Sequence, residues 1–487
     1  MKKYNLIFIL TIFFAMLSTA CKGNDPASPS STVTDPVFKA SSDSLKFTGS
    51  GGNDTLTITM NGSKWAVSSS QTWCSVSATT SSKSSDRLII TASENTTGSV
   101  RIATLTLVMD LKTTVIVQIK QEIKQIYPSY NNPIAADATG MSSTATELAA
   151  KIKSGINIGN TLEAIGGETS WGNPKITKAY IDLLKQSGFN AVRLPCSWDQ
   201  YADASTAQIS SQWLDRVKQV IQYCIDDNMY VLLNIHWDGG WLENNCTVDK
   251  QVANNAKQKA FWEQIASKMR DFDEHLMFAS ANEPNVSDAN QMGVLLSYHQ
   301  TFINAVRSTG GKNAYRVLVV QGPSTDITKT NKFMISLPTD NVPNKMMVEI
   351  HYYTPWNFTG MTKDETWGNQ FYYWGNGNHS TTDLAHNPTW GEESNVDTDL
   401  KLMKAQFVDK GIPVVMGETG AILRTNLTGD ALTLHKASRV YYFKSVSQKA
   451  KAIGILPFFW DNGGDGTIFN RNNNTVADQQ ALDALIQ

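Results

Sequence analysis

At 487 residues the chain is longer than one ordinary domain requires, although an α/β barrel alone can take about 250 residues or more. Its 42 basic and 44 acidic residues leave a formal charge of −2, which gives no electrostatic case for nucleic acid or an anionic membrane surface as partner. The 13 tryptophans and 15 tyrosines, many set among Gly and Asn as in Trp171-Gly172-Asn173-Pro174, offer flat apolar faces that suit a sugar ring with a hydroxylated rim.

Residues 1–20 read as a signal peptide. Lys2-Lys3 form a positive start, Leu6 to Leu17 an apolar run too short to span a bilayer, and Ser18-Thr19-Ala20 a small-residue cleavage site. Cys21 follows directly. A Cys in that place resembles a bacterial lipobox, with Ser18 standing where Leu is commoner. The resemblance implies a secreted lipoprotein anchored by a lipid on Cys21 at the outer membrane or cell surface, with no other membrane contact. The alternative is a plain signal peptide followed by a chance Cys. Residues 21–36, rich in Ser, Pro and Asp, read as a flexible tether. Cys74, Cys196, Cys224 and Cys246 lack CxxC or Cys/His spacing, so buried thiols are expected rather than a zinc site or a disulfide framework.

Residues 37–123 read as all-β. Thr55 to Thr59, Arg87 to Thr91, Thr104 to Val108 and Val115 to Ile119 alternate in polarity and are separated by Gly/Ser/Asn clusters, as in a small immunoglobulin-like sandwich. Trp65, Trp73-Cys74, the turn Asn95-Thr96-Thr97 before Arg101 and the closing Gln121-Glu122 resemble a BACON domain. Modules of the family it resembles sit in front of many Bacteroidetes carbohydrate-active enzymes. Trp65 and Trp73 are expected in the core, and the module is expected to act as a spacer. Residues 124–139, with Tyr127-Pro128 and Asn131-Asn132-Pro133, read as a linker.

From residue 140 to 487 apolar runs alternate with amphipathic stretches, which predicts βα units. Eight strands are expected: Gly155–Gly159, Ala191–Leu194, Tyr230–Ile235, Leu276–Ala281, Arg316–Gln321, Met346–His351, Pro413–Gly417 and Ile455–Trp460. Helices are expected between them, for example over Ile176–Ser187, Ser211–Asp227 and Gln258–Phe272. Eight such units close into a TIM barrel. A doubly wound sheet is the alternative, but no Gly-rich nucleotide turn follows the first strand.

A TIM barrel works at the C-terminal ends of its strands. Those ends carry Asn160, Arg193, His236, Asn282-Glu283, His351 with Tyr353, Glu418 and Trp460. An isolated Glu at a strand end is by default a salt-bridge partner, but a polar or flat residue at most strand ends makes a constellation. Glu283 and Glu418 follow strands four and seven, on opposite sides of the barrel mouth. Two carboxylates flanking a bond are what glycoside hydrolysis needs, one to protonate the leaving oxygen and one to attack the anomeric carbon. Arg193 and Tyr353 would keep Glu418 ionised, and that anion would raise the pKa of Glu283. Asn282 would bond the 2-hydroxyl of the attacked sugar, and Trp460 would lie beneath its ring.

The strings Gly155 to Glu163, Val192-Arg193-Leu194-Pro195, Asn234-Ile235-His236, Ala281-Asn282-Glu283-Pro284, Glu349 to Tyr353, Gly417-Glu418-Thr419-Gly420 and Phe459 to Asn462 resemble glycoside hydrolase family 5, subfamily 4. The resemblance implies Glu283 as acid/base and Glu418 as nucleophile, with Arg193, His236, Asn282, His351, Tyr353 and Trp460 in support. It implies a retaining endo-glucanase acting as a monomer on a β-1,4-glucan: cellulose-like glucan, mixed-linkage glucan or xyloglucan. No metal or cofactor is expected. A mannanase or xylanase, or a non-catalytic glycan-binding lipoprotein, are the alternatives. Trp171, Trp237, Trp241 and Trp356 are candidates for further sugar stacking, with loop packing as the competing role. The aromatic segment from Trp367 to Trp390 is expected to wall the cleft after strand six.

Overall fold

The computed structural model describes residues 35–464 and 466–486, and the expected signal peptide, Cys21 and most of the tether lie outside them. The chain divides into two compact units.

The first unit is the expected sandwich. Strands Phe38–Ala40, Gly52–Met60, Ser85–Ala92 and Cys74–Val76 form one sheet in the order 1-2-3-4 as named here. Ser44–Phe47, Thr113–Gln121, Arg101–Met109, Trp65–Ser69 and Thr80–Ser81 form the other. Every second residue of Arg101–Met109 is buried, which is the period-two pattern of a strand with one face on a core. Leu56, Ile58, Leu88 and Ile90 of one sheet share that core with Val67, Leu105, Leu107 and Ile119 of the other. Trp65 is 1% exposed and Trp73 packs partly buried against the same cluster, so both serve packing.

The second unit is a closed barrel of eight parallel strands: Gly155–Ile158, Ala191–Leu194, Tyr230–Asn234, Leu276–Ala279, Leu318–Gln321, Met346–Tyr352, Val414–Thr419 and Ile455–Asp461. The last strand pairs with the first, which leaves no open edge. All eight expected strands form, with ends shifted by up to two residues. The strands read as nearly continuous apolar runs because both faces are covered, one by helices and one by the barrel interior.

Two expectations about this unit need correction. The helix placed over Gln258–Phe272 runs from Val248 to Met269. Its first three turns bury Asn254 and Gln258 rather than apolar side chains, so hydrophobic periodicity misses them. The segment read as a linker is built into the barrel unit. Ile134–Ala136 pairs with Gly310–Gly311, the Tyr130 N–H donates to Glu263, and the Tyr130 hydroxyl donates to the Thr206 carbonyl at 2.8 Å. Cys196, Cys224 and Cys246 are buried free thiols here, as Cys74 is in the sandwich.

Candidate active site

Strand periodicity lays out the base of the site. Residues two apart on a barrel strand point the same way, so Glu349 and His351 on the sixth strand both face the interior. Arg193 reaches the same layer from the second strand and is fully buried. Its Nε pairs with Glu349 at 2.8 Å, its Nη1 with Glu418 at 2.8 Å and with Asn157 Oδ1 at 3.0 Å, and its Nη2 donates to Asn282 Oδ1 at 2.8 Å. A buried guanidinium costs free energy unless its donors are satisfied, and here the acceptors converge from the first, fourth, sixth and seventh strands or the loops after them.

Glu418 sits at a distortion of the ladder. The sixth and seventh strands pair Ile350 with Met416 and then His351 with Glu418, so Gly417 is the extra residue of a bulge. A Cβ on Gly417 would lie 1.9 Å from Glu349 Oε1, so glycine is there for space. Both oxygens of Glu418 are held, Oε1 by Arg193 and Oε2 by the Tyr353 hydroxyl at 3.0 Å. Glu283, by contrast, has 43% of its side chain exposed to the cleft and bonds His351 Nδ1 at 2.7 Å. The other nitrogen of that ring lies 3.3 Å from Glu349.

The charge order differs from the expectation. Burial pushes Glu418 up, and the Glu283 charge adds to it; His351 and Arg193 oppose this, yet the carboxyl stays above its ordinary range. Burial also pushes Glu283 up, but the hydrogen bond from His351, then its charge and that of Arg193, bring it below its ordinary range. The reach of Glu283 into the cleft limits its loss of hydration, so the attraction of His351 and Arg193 prevails. Burial disfavours the charged form of His351, but Glu418, Glu283 and Glu349 outweigh it and lift the imidazole to about 9. The sequence reading paired Arg193 and Tyr353 with Glu418 and left out the His351 bond to Glu283. One proton therefore sits on the His351–Glu283 pair.

The remaining expected residues divide. His236 is buried and held neutral by burial and by the charges of Arg193 and His351. Its ring lies parallel to Trp460, with centroids 5.7 Å apart and 9° between planes, so the two form one platform. Asn160 takes a left-handed backbone with φ 58° and joins the carboxylate cluster through no hydrogen bond among the described residues. Its main chain is held by Glu163 and Asn173 instead. Trp171, Trp237 and Trp356 are 45%, 44% and 52% exposed, free faces on the loops, and Trp356 stands edge-on to Tyr353. Trp241 instead packs, its Nε1 donating to Asp238 and its ring edge-on to Phe261. The segment after the sixth strand buries Tyr373, sets Phe371 and Trp374 into the main core of the barrel unit, with Trp374 edge-on to Tyr442, and leaves Trp367 and Trp390 exposed.

Sequence reading missed Glu349, Asn157 and Glu243. Period two from His351 would have found Glu349. Glu243 lies on a short turn after the third strand, where no strand end points to it, and burial followed by the charges of Glu283 and Glu418 raises it to about 7.

One atom each of Glu283, His351 and Glu418 lie within 4.8 Å of one another, a spacing that could surround a cation. The Arg193 charge already occupies that layer, and a proton on His351 meets the same balance. An oxygen of each glutamate is thus near enough to the other for the pair to flank one bond from opposite faces, at the short separation that goes with direct attack rather than an interposed water.

Comparison with known proteins bears on this geometry. The cellulase (glycosyl hydrolase family 5) profile matches residues 155–466, and a viral BACON domain profile matches residues 37–124. A xyloglucan-specific endo-β-1,4-glucanase of Bacteroides ovatus is 34% identical over 465 residues, covering 91% of this chain and 89% of the relative. Endoglucanase A of Paenibacillus barcinonensis is 36% identical over 382 residues, covering 72% of this chain and 92% of the relative. The solved Bacteroides ovatus GH5 xyloglucanase in complex with a XXXG heptasaccharide superposes with a TM-score of 0.69 at 33% identity, covering 92% and 99% of the two chains.

Proposed function

The chain belongs to the cellulase family, glycosyl hydrolase family 5, and on that footing we propose that it is an endo-acting, retaining β-1,4-glucanase whose substrate is xyloglucan. The observation that carries the chemistry is the pair Glu283 and Glu418, one carboxyl reaching the cleft beside a protonated imidazole, the other clamped on both oxygens.

In the first step a Glu418 oxygen attacks the anomeric carbon. The bond from that carbon to the glycosidic oxygen breaks, and the leaving oxygen takes the proton of the His351–Glu283 pair through Glu283. Arg193 and Tyr353 aim the attacking carboxylate through their hydrogen bonds to its two oxygens. In the second step Glu283, now a bare carboxylate, takes a proton from water as the water oxygen displaces Glu418. Two displacements on one carbon retain its configuration. Asn282 Nδ2 faces the sugar's 2-hydroxyl, because Arg193, which can only donate, fixes Oδ1 on its own side. The parallel rings of His236 and Trp460 receive the sugar face.

Xyloglucan is preferred over linear glucans because the relative aligned over both units, and the solved structure covering the same length, are xyloglucanases. Side-by-side digestion of xyloglucan, mixed-linkage glucan, soluble cellulose and mannan tests it. Xyloglucan should be cut fastest, to oligosaccharides of backbone-repeat length, and a faster rate on mannan or no cleavage at all would overturn the reading. Lipidation at Cys21 completes the proposal; it rests on the sequence alone, and Cys21→Ala should release the enzyme from the membrane fraction.

A further inference from the structure

Glu243 belongs to none of the groups that touch a substrate in the mechanism above, yet it grips the chain on which the acid/base is mounted. It lies on the short turn Glu243–Asn245, between the third strand and the helix Val248–Met269, and it is 6% exposed. Its carboxylate Oε1 accepts the backbone N–H of Glu283 at 2.8 Å. Its own backbone carbonyl accepts the N–H of Asn285 at 2.8 Å. The side chain of Asn282 lies beside the same carboxylate and favours its charged form. One residue thus holds the backbone on both sides of Pro284, at Glu283 and Asn285, from a separate loop.

Resting on the assignment of Glu283 as acid/base, we propose that Glu243 is a positioning residue: its buried carboxylate and carbonyl set the height and direction from which Glu283 delivers its proton. The loop after a barrel strand has no ladder to hold it, and an acid must lie within hydrogen-bond reach of the leaving oxygen to work. Two acceptors from a neighbouring turn supply the missing restraint. A carboxylate presents an acceptor to the Glu283 N–H whichever way its head group is turned, whereas an amide does so in only one of its two orientations and an alanine in none.

The test compares two glycosides of one xyloglucan oligosaccharide, the dinitrophenyl glycoside, whose leaving group departs without a proton, and the phenyl glycoside, which needs the acid. In Glu243→Gln and Glu243→Ala the rate constant kcat/KM on the phenyl glycoside should fall about 10-fold or more, while that on the dinitrophenyl glycoside stays within about threefold. The isosteric Gln variant guards against a loss that merely reflects a damaged fold. Wild type that shows the leaving-group dependence while both variants keep its ratio would overturn this inference alone. Wild type inert toward both glycosides would overturn the proposed function and this inference with it.

Discussion

His351 Nδ1 lies 2.7 Å from Glu283 Oε1, and this contact decides where the working proton rests. The imidazole is lifted to about 9 against the cost of its burial, by Glu418, Glu283 and Glu349. Its folded pKa lies above the ordinary 6.5, so its contribution to stability is full below about pH 6.5 and is lost as pH rises through about 9. The wild-type melting temperature should therefore decline across that window, by the equivalent of about 3 kcal/mol at most. In His351→Asn that decline should vanish. A slope that persists in the variant would move the proton elsewhere in the cluster.

The two glutamates should separate by substrate and by stability. Glu283→Gln should lower the rate on unactivated glucan about 1,000-fold, the worth of a general acid, with little change in melting because its side chain is half in solvent. Glu418→Gln should also be inactive, and a fluorinated glycosyl inhibitor should label Glu418 in the wild type. Labelling at any other carboxylate would reassign the nucleophile.

Much of this was legible in the sequence for a physical reason. The barrel strands are apolar runs bounded by polar residues, and each run ends at the mouth, so reading strand ends in order finds Arg193, Asn282, Glu283, His351, Glu418 and Trp460 together. What escaped depends on relations that no single run contains. Glu349 is inside a strand, hidden among apolar neighbours, and its purpose appears only when Arg193 arrives from the second strand. Glu243 contacts Glu283 through a backbone N–H, a bond for which the sequence carries no residue signature. The reversed charge order of the pair likewise follows from which carboxylate His351 chose, a matter of about one ångström in the folded site.

Chelator should leave activity unchanged. Glu283, His351 and Glu418 are close enough to hold a cation, but binding one would require expelling the His351 proton and placing the ion beside the buried Arg193. Dialysis against EDTA should change kcat by less than about twofold, whereas a metal-dependent hydrolysis would lose its nucleophile or Lewis acid entirely. Inhibition that zinc or calcium restores would show that the triad takes a metal.

Gly417→Ala tests whether the bulge is there to admit Glu349. The backbone at Gly417 is not left-handed, so any residue could adopt it, and the constraint is space alone. The new methyl would stand 1.9 Å from Glu349 Oε1. Glu349 is fully buried and cannot swing to solvent; its Oε1 pairs with Arg193 and its Oε2 accepts from Gln321 at 2.5 Å. Either the carboxylate shifts and releases Arg193, or the seventh strand moves and carries Glu418 with it. Overpacking of this kind costs about 1–3 kcal/mol. A displacement of the nucleophile by about 1 Å costs about 100-fold in rate. The variant should therefore show both a lowered melting temperature and a kcat reduced about 100-fold, with KM little changed because the sugar platform of His236 and Trp460 is untouched. Wild-type kcat in Gly417→Ala would mean that the site accommodates the methyl and that the bulge has no part in aiming Glu418.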